Sequence, residues 1–259
     1  MTNPPTLVVF SDLDGTLLDH DTYSWEAARQ ALDRLARLSC PVILTSSKTA
    51  AEIAVLQDAM GLTGLPAIVE NGAGVVGLDD PADAPTYNHL RKQLEALPDV
   101  VRSRFQGFGD MDVAEIVTIT GLSPDGATLA KRRDFSEPGL WSGDDATRAV
   151  FVQALADNGL TATQGGRFLT LSFGATKADG MAKVLAHYRP RHCVALGDAP
   201  NDITMLEAAE FGVIVANPHR DPLPTLGGEA EGRISRTLEA GPRGWNTAIC
   251  SLLDRLGLN

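Results

Sequence analysis

The stretch Phe10-Ser11-Asp12-Leu13-Asp14-Gly15-Thr16-Leu17-Leu18-Asp19 decides the fold. It closes an apolar run, Leu7-Val8-Val9-Phe10, with two aspartates beside a glycine. An uninterrupted apolar run reads as a strand covered on both faces, as in a parallel sheet. The aspartates then stand at its carboxyl end, where open α/β sheets receive their ligands. Asp12 and Asp14, two apart on an extended segment, can point to the same side.

The same grammar recurs outward from this stretch. Trp25, Ala28, Leu32 and Leu35 follow at helical spacing, with Asp21, Thr22 and Ser24 as candidate caps. Pro41-Val42-Ile43-Leu44 is a second strand running into Thr45-Ser46-Ser47-Lys48. A helix is expected from near Thr49, with Ile53, Leu56 and Met60 on one face and one of Thr45, Ser46 or Ser47 as its cap. Ala67-Ile68-Val69 then leads to Glu70-Asn71-Gly72. Towards the other end, Cys193-Val194-Ala195-Leu196 meets Gly197-Asp198, a helix carries Ile203 and Leu206, and Gly212-Val213-Ile214-Val215 resumes the pattern. Alternating strands and helices predict an α/β fold with a doubly wound parallel-sheet (Rossmann-like) core, built from residues 1–80 and 174–259. An inserted α+β cap domain is expected over residues 81–173, opening on the Pro/Asp-rich linker DDPADAPTY. Within it, strands are expected over Glu115–Thr120 and Gly166–Phe173, and a helix over Asp144–Asn158. The chain has no internal repeat and no low-complexity tract.

With 259 residues, 44% of them apolar and 21% charged, the chain has an ordinary globular composition and room for one large domain or two smaller ones. The N-terminus shows no secretion signal and no apolar run is long enough to span a membrane, so a soluble, cytoplasmic protein without a membrane partner is expected. Cys40, Cys193 and Cys250 are odd in number and far apart, with no CxxC pattern, which suits a reducing compartment. His20, His89, His187, His192 and His219 show no ligand spacing and read as structural or exposed. A net charge of -11 argues against nucleic acid as a partner. Phosphorylated small molecules stay open, because a bound divalent cation and a few basic residues reverse the field inside one pocket.

Four strand ends carry Asp12/Asp14, Ser46/Lys48, Glu70/Asn71 and Asp198/Asn201/Asp202. In an open α/β sheet they converge on one crevice. Carboxylates with a hydroxyl and a lysine supply what metal-assisted phosphoryl transfer needs: oxygen ligands for Mg2+, a nucleophile, and positive charge for the non-bridging oxygens.

Asp12-Leu13-Asp14-Gly15-Thr16, the hydroxyl-rich end of the second strand, Lys177 and Gly197-Asp198-Ala199-Pro200-Asn201-Asp202 resemble, in order, the four motifs of the haloacid dehalogenase-like phosphatases. The insertion resembles the α+β cap of the sugar-phosphate branch. Ser46-Ser47-Lys48-Thr49 with Glu52, Glu70-Asn71-Gly72-Ala73, Arg132-Arg133-Asp134-Phe135-Ser136-Glu137-Pro138, Gly166-Arg167-Phe168 and Gly241-Pro242-Arg243-Gly244-Trp245-Asn246 are similar to mannosyl-3-phosphoglycerate phosphatases. Many relatives place a lysine directly before glycine in the third motif, whereas Lys177 here precedes Ala178-Asp179-Gly180; Lys177 is taken rather than Lys183, which falls inside the helix.

The resemblance implies a Mg2+-dependent phosphomonoester hydrolase, as in mannosylglycerate biosynthesis, with Asp12 as nucleophile and Asp14 as general acid and base. Asp12, Asp14, Asp198 and Asp202 would hold the metal. Ser46 and Lys177 would cradle the phosphoryl group, with Thr45 as the alternative hydroxyl. Lys48, Glu70, Asn71, Arg132, Arg133, Ser136, Arg167 and Asn201 would contact the rest of a small phosphorylated sugar. Gly165 and Gly166 are expected to allow close backbone approach beside Arg167, and Trp245 to pack at the domain edge. Glucosyl-3-phosphoglycerate, sucrose phosphate or a hexose phosphate as substrate, a phosphomutase, and a phospho-accepting domain that does not hydrolyse are the alternatives. Asp14, the proton-transfer partner that hydrolysis needs, speaks against the last.

Overall fold

A computed structural model describes residues 4–78 and 87–258. Most of the anticipated linker and the expected cap boundary at residue 81 lie outside the described residues. The chain groups into two compact units. Of the described residues, one unit holds 4–46, 62–78 and 176–258, and the other holds 47–61 and 87–175.

The first unit is built on a seven-stranded sheet. Its first four strands are β1 (Leu7–Ser11), β2 (Val42–Thr45), β3 (Ala67–Val69) and β4 (Gly74–Val76). The second unit supplies β5 (Phe105–Gly107), β6 (Glu137–Trp141), β7 (Thr161–Gly165) and β8 (Phe168–Ser172). The chain then returns to the first sheet with β9 (His192–Gly197), β10 (Phe211–Ala216) and β11 (Ile234–Ala240). The order across the first sheet is β11-β10-β9-β1-β2-β3-β4, parallel throughout except for the antiparallel β4. This is the doubly wound α/β core, and all five residues of β1 are buried because neighbouring strands and covering layers leave it no solvent face.

Strand order reverses at β1: the chain leaves it towards β2 on one side and comes back beside it as β9 on the other. Such a reversal opens a crevice at the carboxyl ends of the two central strands. Asp12 and Asp198, each the first residue beyond its strand, stand there. Val8, Phe10, Ile43, Ile68, Ala195 and Ile214 from five strands join one apolar cluster with Met181 and Val184 of the helix Lys177–Tyr188. Trp245 is fully buried, and its indole Nε1 donates to Ser11 Oγ at 2.9 Å, so it lies under β1 rather than at a domain edge.

In the second unit β5, β6, β8 and β7 form an antiparallel sheet in that order. Glu115–Thr120, expected as a strand, is part of the helix Val113–Thr120. Its β-branched run favours a strand, but local chemistry decides: Asp112 and Glu115 form a reciprocal capping box, and Gly121 ends the helix at φ 78°. The helix expected over Asp144–Asn158 spans Asp145–Asp157, with Asp144 as its cap.

Residues 47–61, assigned from sequence to the first domain, group with the second unit. Their helix, Ala50–Met60, is capped by Thr49 rather than by Thr45, Ser46 or Ser47. Thr49 Oγ1 also donates to the Leu129 carbonyl at 3.0 Å. No helix among the described residues is long and apolar enough to cross a membrane.

Candidate active site

The site at the carboxyl end of the parallel sheet is assembled from segments more than 160 residues apart. Asp12 follows β1, and its amide donates to Leu196 of β9 at 2.9 Å, which ties the two central strand ends together. Lys177, at the start of its helix, is 1% exposed. Its Nζ lies 2.6 Å from Asp12 Oδ1 and 2.6 Å from Asp202 Oδ1. Lys183 of the same helix is exposed.

Asp202 Oδ2 accepts from the amides of Asp198, at 3.0 Å, and Ala199, at 2.9 Å, so this carboxylate organises the loop that presents Asp198. Gly197 is required by that arrangement, because a Cβ there would lie 2.5 Å from Asp202 Cβ. One oxygen from each of Asp12, Asp198 and Asp202 falls within 4.8 Å of the others, and all three residues are buried.

Electrostatics follows from the burial. The Asp12 carboxyl is pushed up to about 8, first by burial and then by Asp202, with Lys177 opposing and Asp198 adding. Burial alone would lower the Lys177 ammonium, but Asp12 and Asp202 outweigh it and hold the group protonated. Three buried carboxyl groups face one buried ammonium, so the cluster cannot ionise fully without an excess of negative charge. The donors are all oxygens. Both features fit a hard divalent cation.

Three residues that hold Asp198 had no role assigned from sequence. Thr16 Oγ1 donates to Asp198 Oδ1 at 2.7 Å, Asn217 Nδ2 donates to Oδ2 at 2.8 Å, and Arg220 Nε lies 3.1 Å from the same Oδ2. The signal was present in outline: Asn217 is the first residue beyond β10, so it too stands at a strand's carboxyl end. Gly15, at φ 86°, leaves room for it, since a Cβ would fall 2.3 Å from Asn217 Nδ2.

The remaining residues of this unit cluster at the ends of β2 and β3. Ser46 is buried, and its amide donates to Ile68 while its carbonyl accepts from Asn71. Thr45 Oγ1 donates back to the Ile43 carbonyl at 3.2 Å. Glu70, Asn71 and Gly72 are consecutive left-handed residues, at φ 52°, 61° and 95°. Asn71 Oδ1 accepts from Asn201 Nδ2 at 2.9 Å. Gly72 packs so closely that a Cβ would sit 2.0 Å from the Thr176 carbonyl, which seats the turn against the start of the Lys177 helix. Asp14 is half-buried, in the tight loop closed by the Gly15 amide on the Leu18 carbonyl.

Lys48, Arg132, Arg133, Ser136 and Arg167 belong to the second unit. Lys48 is half-buried just before the Thr49 cap, and Arg132 is exposed. Arg133 donates to Ser136 Oγ at 2.7 Å. The exposed Arg167 donates to the Ile119 carbonyl and lies over the Phe168 ring at 5.8 Å. Gly165 and Gly166 serve the β7–β8 hairpin turn, Gly166 at φ 55°. Neither meets a close backbone neighbour, since a Cβ on either would find nothing within 4 Å.

A sequence model of haloacid dehalogenase-like hydrolases matches residues 9–104 and 146–221. The chain belongs to that family. Among solved structures, a haloacid dehalogenase-like hydrolase from Bacteroides thetaiotaomicron is similar at a TM-score of 0.68 and 17% identity, over 95% of this chain and 98% of that one. A phosphatase of the superfamily from the same organism matches at 0.64 and 20%, over 97% and 95%. The sucrose-phosphatase of Synechocystis, in complex with sucrose and phosphate, matches at 0.60 and 16%, over 95% and 97%. At these identities the likeness is one of fold.

Proposed function

We propose that this hydrolase is a Mg2+-dependent phosphatase that removes phosphate from a glycosyl-3-phosphoglycerate, with mannosyl-3-phosphoglycerate as the preferred substrate and an aspartyl-phosphate as intermediate. The observation that carries the reading is the Lys177 ammonium held 2.6 Å from both Asp12 and Asp202, with Asp198 in the same cluster.

Asp12 Oδ attacks phosphorus, and the sugar or glycerate oxygen departs with a proton from Asp14. Asp14 then takes a proton from the water that attacks the acyl phosphate, which returns Asp12 as a free carboxylate and releases inorganic phosphate. Lys177 and Ser46 neutralise and orient the non-bridging oxygens. Asp12, the Asp14 carbonyl and Asp198 would hold Mg2+, with Asp202 acting through water or orienting the shell. That ion, when bound, offsets charge on the transferring phosphoryl group.

The substrate assignment rests on the resemblance and on the arginines of the second unit. A ligand bearing both phosphate and carboxylate needs a second anion site, and a guanidinium supplies a planar fork for it.

The test is phosphate release with Mg2+ across mannosyl- and glucosyl-3-phosphoglycerate, sucrose phosphate and hexose phosphates, repeated in Arg132→Ala, Arg133→Ala and Arg167→Ala. The mannosyl substrate should lead by about tenfold or more in kcat/KM. At least one arginine variant should lose about 2 to 3 kcal/mol of transition-state binding on it and almost nothing on an aryl phosphate. Equal losses on both substrates in all three variants, or a lead for sucrose phosphate, would overturn the assignment.

A further inference from the structure

The first unit brings together a second set of ligating side chains that shares no residue with the carboxylate cluster. His20 and Asp21 sit on the turn that follows the Asp12 loop, and His219 on the segment after β10. The two imidazoles are 199 positions apart in sequence, so no local spacing could announce them. In space they stack, with ring centroids 4.0 Å apart and 15° from parallel. Asp21 Oδ2 lies 3.7 Å from His219 Nε2. One nitrogen of each ring and one Asp21 oxygen lie within 4.8 Å of one another, and all three residues are exposed.

Their backbone is held by hydrogen bonds on both sides. Asp19 Oδ1 accepts from the Thr22 amide at 2.9 Å and from Thr22 Oγ1 at 2.7 Å, which closes the turn that carries His20 and Asp21. The His219 amide donates to Asn217 Oδ1 at 2.9 Å. Side-chain rotation alone has to converge the three donors, which limits the ordering cost of taking up an ion.

We propose that His20, Asp21 and His219 form a second cation site, suited to a borderline transition ion such as Zn2+ and separate from the Asp12, Asp198 and Asp202 cluster. The donor set argues for the class of ion. Two imidazole nitrogens and one carboxylate match Zn2+, which takes tetrahedral N and O ligands and completes its shell with water at an exposed site. Mg2+ prefers an all-oxygen octahedron and is a poor match for the same groups. Occupancy has a structural consequence. An ion there ties the turn at residues 20–21 to the segment whose Asn217 and Arg220 hold Asp198. The inference does not depend on which substrate the enzyme uses.

The experiment is calorimetric titration of the full chain with ZnCl2 in excess MgCl2, with Co2+ absorption as a second readout. One Zn2+ should bind per chain. His20→Gln and His219→Gln should each weaken it by about tenfold or more, since losing a ligand should match or exceed the loss of a group that merely orients one. Both variants should keep Mg2+-dependent turnover. Asp12→Asn, which alters the carboxylate cluster without touching the residue 217–220 segment, should bind Zn2+ as the parent does. Three results would overturn the proposal: no Zn2+ binding tighter than about 100 μM, unchanged affinity in both histidine variants, or loss of binding in Asp12→Asn.

Discussion

Each unit of the molecule contains a cluster of charged side chains removed from water, and the two are balanced differently. In the second unit, Glu137 and Asp110 face Arg91 and Arg102, all four less than a quarter exposed. Arg91 reaches Glu137 at 2.9 Å and Asp110 at 2.5 Å, while Tyr87 Oη and the Gly109 amide satisfy the remaining Glu137 positions. Two buried acids meet two arginines there, and Glu95, with 53% of its side chain exposed, reaches both arginines from the rim at 2.8 and 2.9 Å. In the first unit the comparable side chains are Asp12, Asp198 and Asp202 against Lys177. Arg220 touches Asp198 only from the rim, with 38% of its side chain exposed. The buried charges of the second unit match one for one, whereas those of the first cannot all ionise without a negative excess that a proton on Asp12 or a cation would offset. Burial of charge alone therefore does not mark the reactive place.

The comparison can be broken at several points. The largest effect belongs to Asp12→Asn, which keeps side-chain volume but replaces the proposed nucleophile with an amide. Phosphate release should fall on the order of 10⁴-fold or more with the circular dichroism spectrum unchanged. Substantial residual turnover would assign the nucleophile elsewhere. Next comes Arg91→Ala, which leaves Glu137 buried with its hydrogen bonds to Tyr87 and Gly109 but without its ion pair. Urea unfolding should show a loss of about 2 to 3 kcal/mol, below the full penalty for a buried pair because Arg91 is partly exposed.

A smaller effect reports on the unbalanced cluster directly. Folding raises the Asp12 carboxyl from 3.8 to about 8, so it favours the protonated form. Stability from this group is complete below about pH 4 and is lost as pH rises through about 8. In chelator, the Tm of the parent should therefore fall more steeply between pH 5.5 and 8.5 than that of Asp12→Asn, and Mg2+ should flatten the difference. Parallel slopes would show that the excess charge is relieved some other way. The smallest effect is Trp245→Phe, which removes the hydrogen bond to Ser11 Oγ and should cost about 1 kcal/mol in the same unfolding assay.

What the sequence made legible was set by the range of the interactions involved. The buried strands are unbroken apolar runs such as Leu7–Phe10 and Val194–Leu196, and the polar residues at their ends converge because parallel topology forces them to. β7, Thr161–Gly165, carries no such run and is largely exposed, so only its pairing with β8 defines it. The helix Val113–Thr120 departs from the strand its β-branched composition favours because the Asp112/Glu115 cap decides locally. Thr16, Asn217 and Arg220 act on Asp198 across 182, 19 and 22 positions, and these side chains carry a role only once the carboxylate they hold is in place. The burial of Trp245 is not legible locally for a related reason: its partner Ser11 is 234 positions away.

The central position of β1 also has a consequence for biosynthesis. β1 is made before both of its sheet neighbours, and one of them, β9, begins only at His192. At ordinary translation speeds the ribosome needs on the order of ten to thirty seconds to cover the intervening chain. Throughout that time an apolar strand ending in Asp12 has at least one open hydrogen-bonding edge, the condition under which nascent chains pair wrongly. The long insertion thus lengthens the interval before the strand that leads into Asp12 is closed on its β9 side.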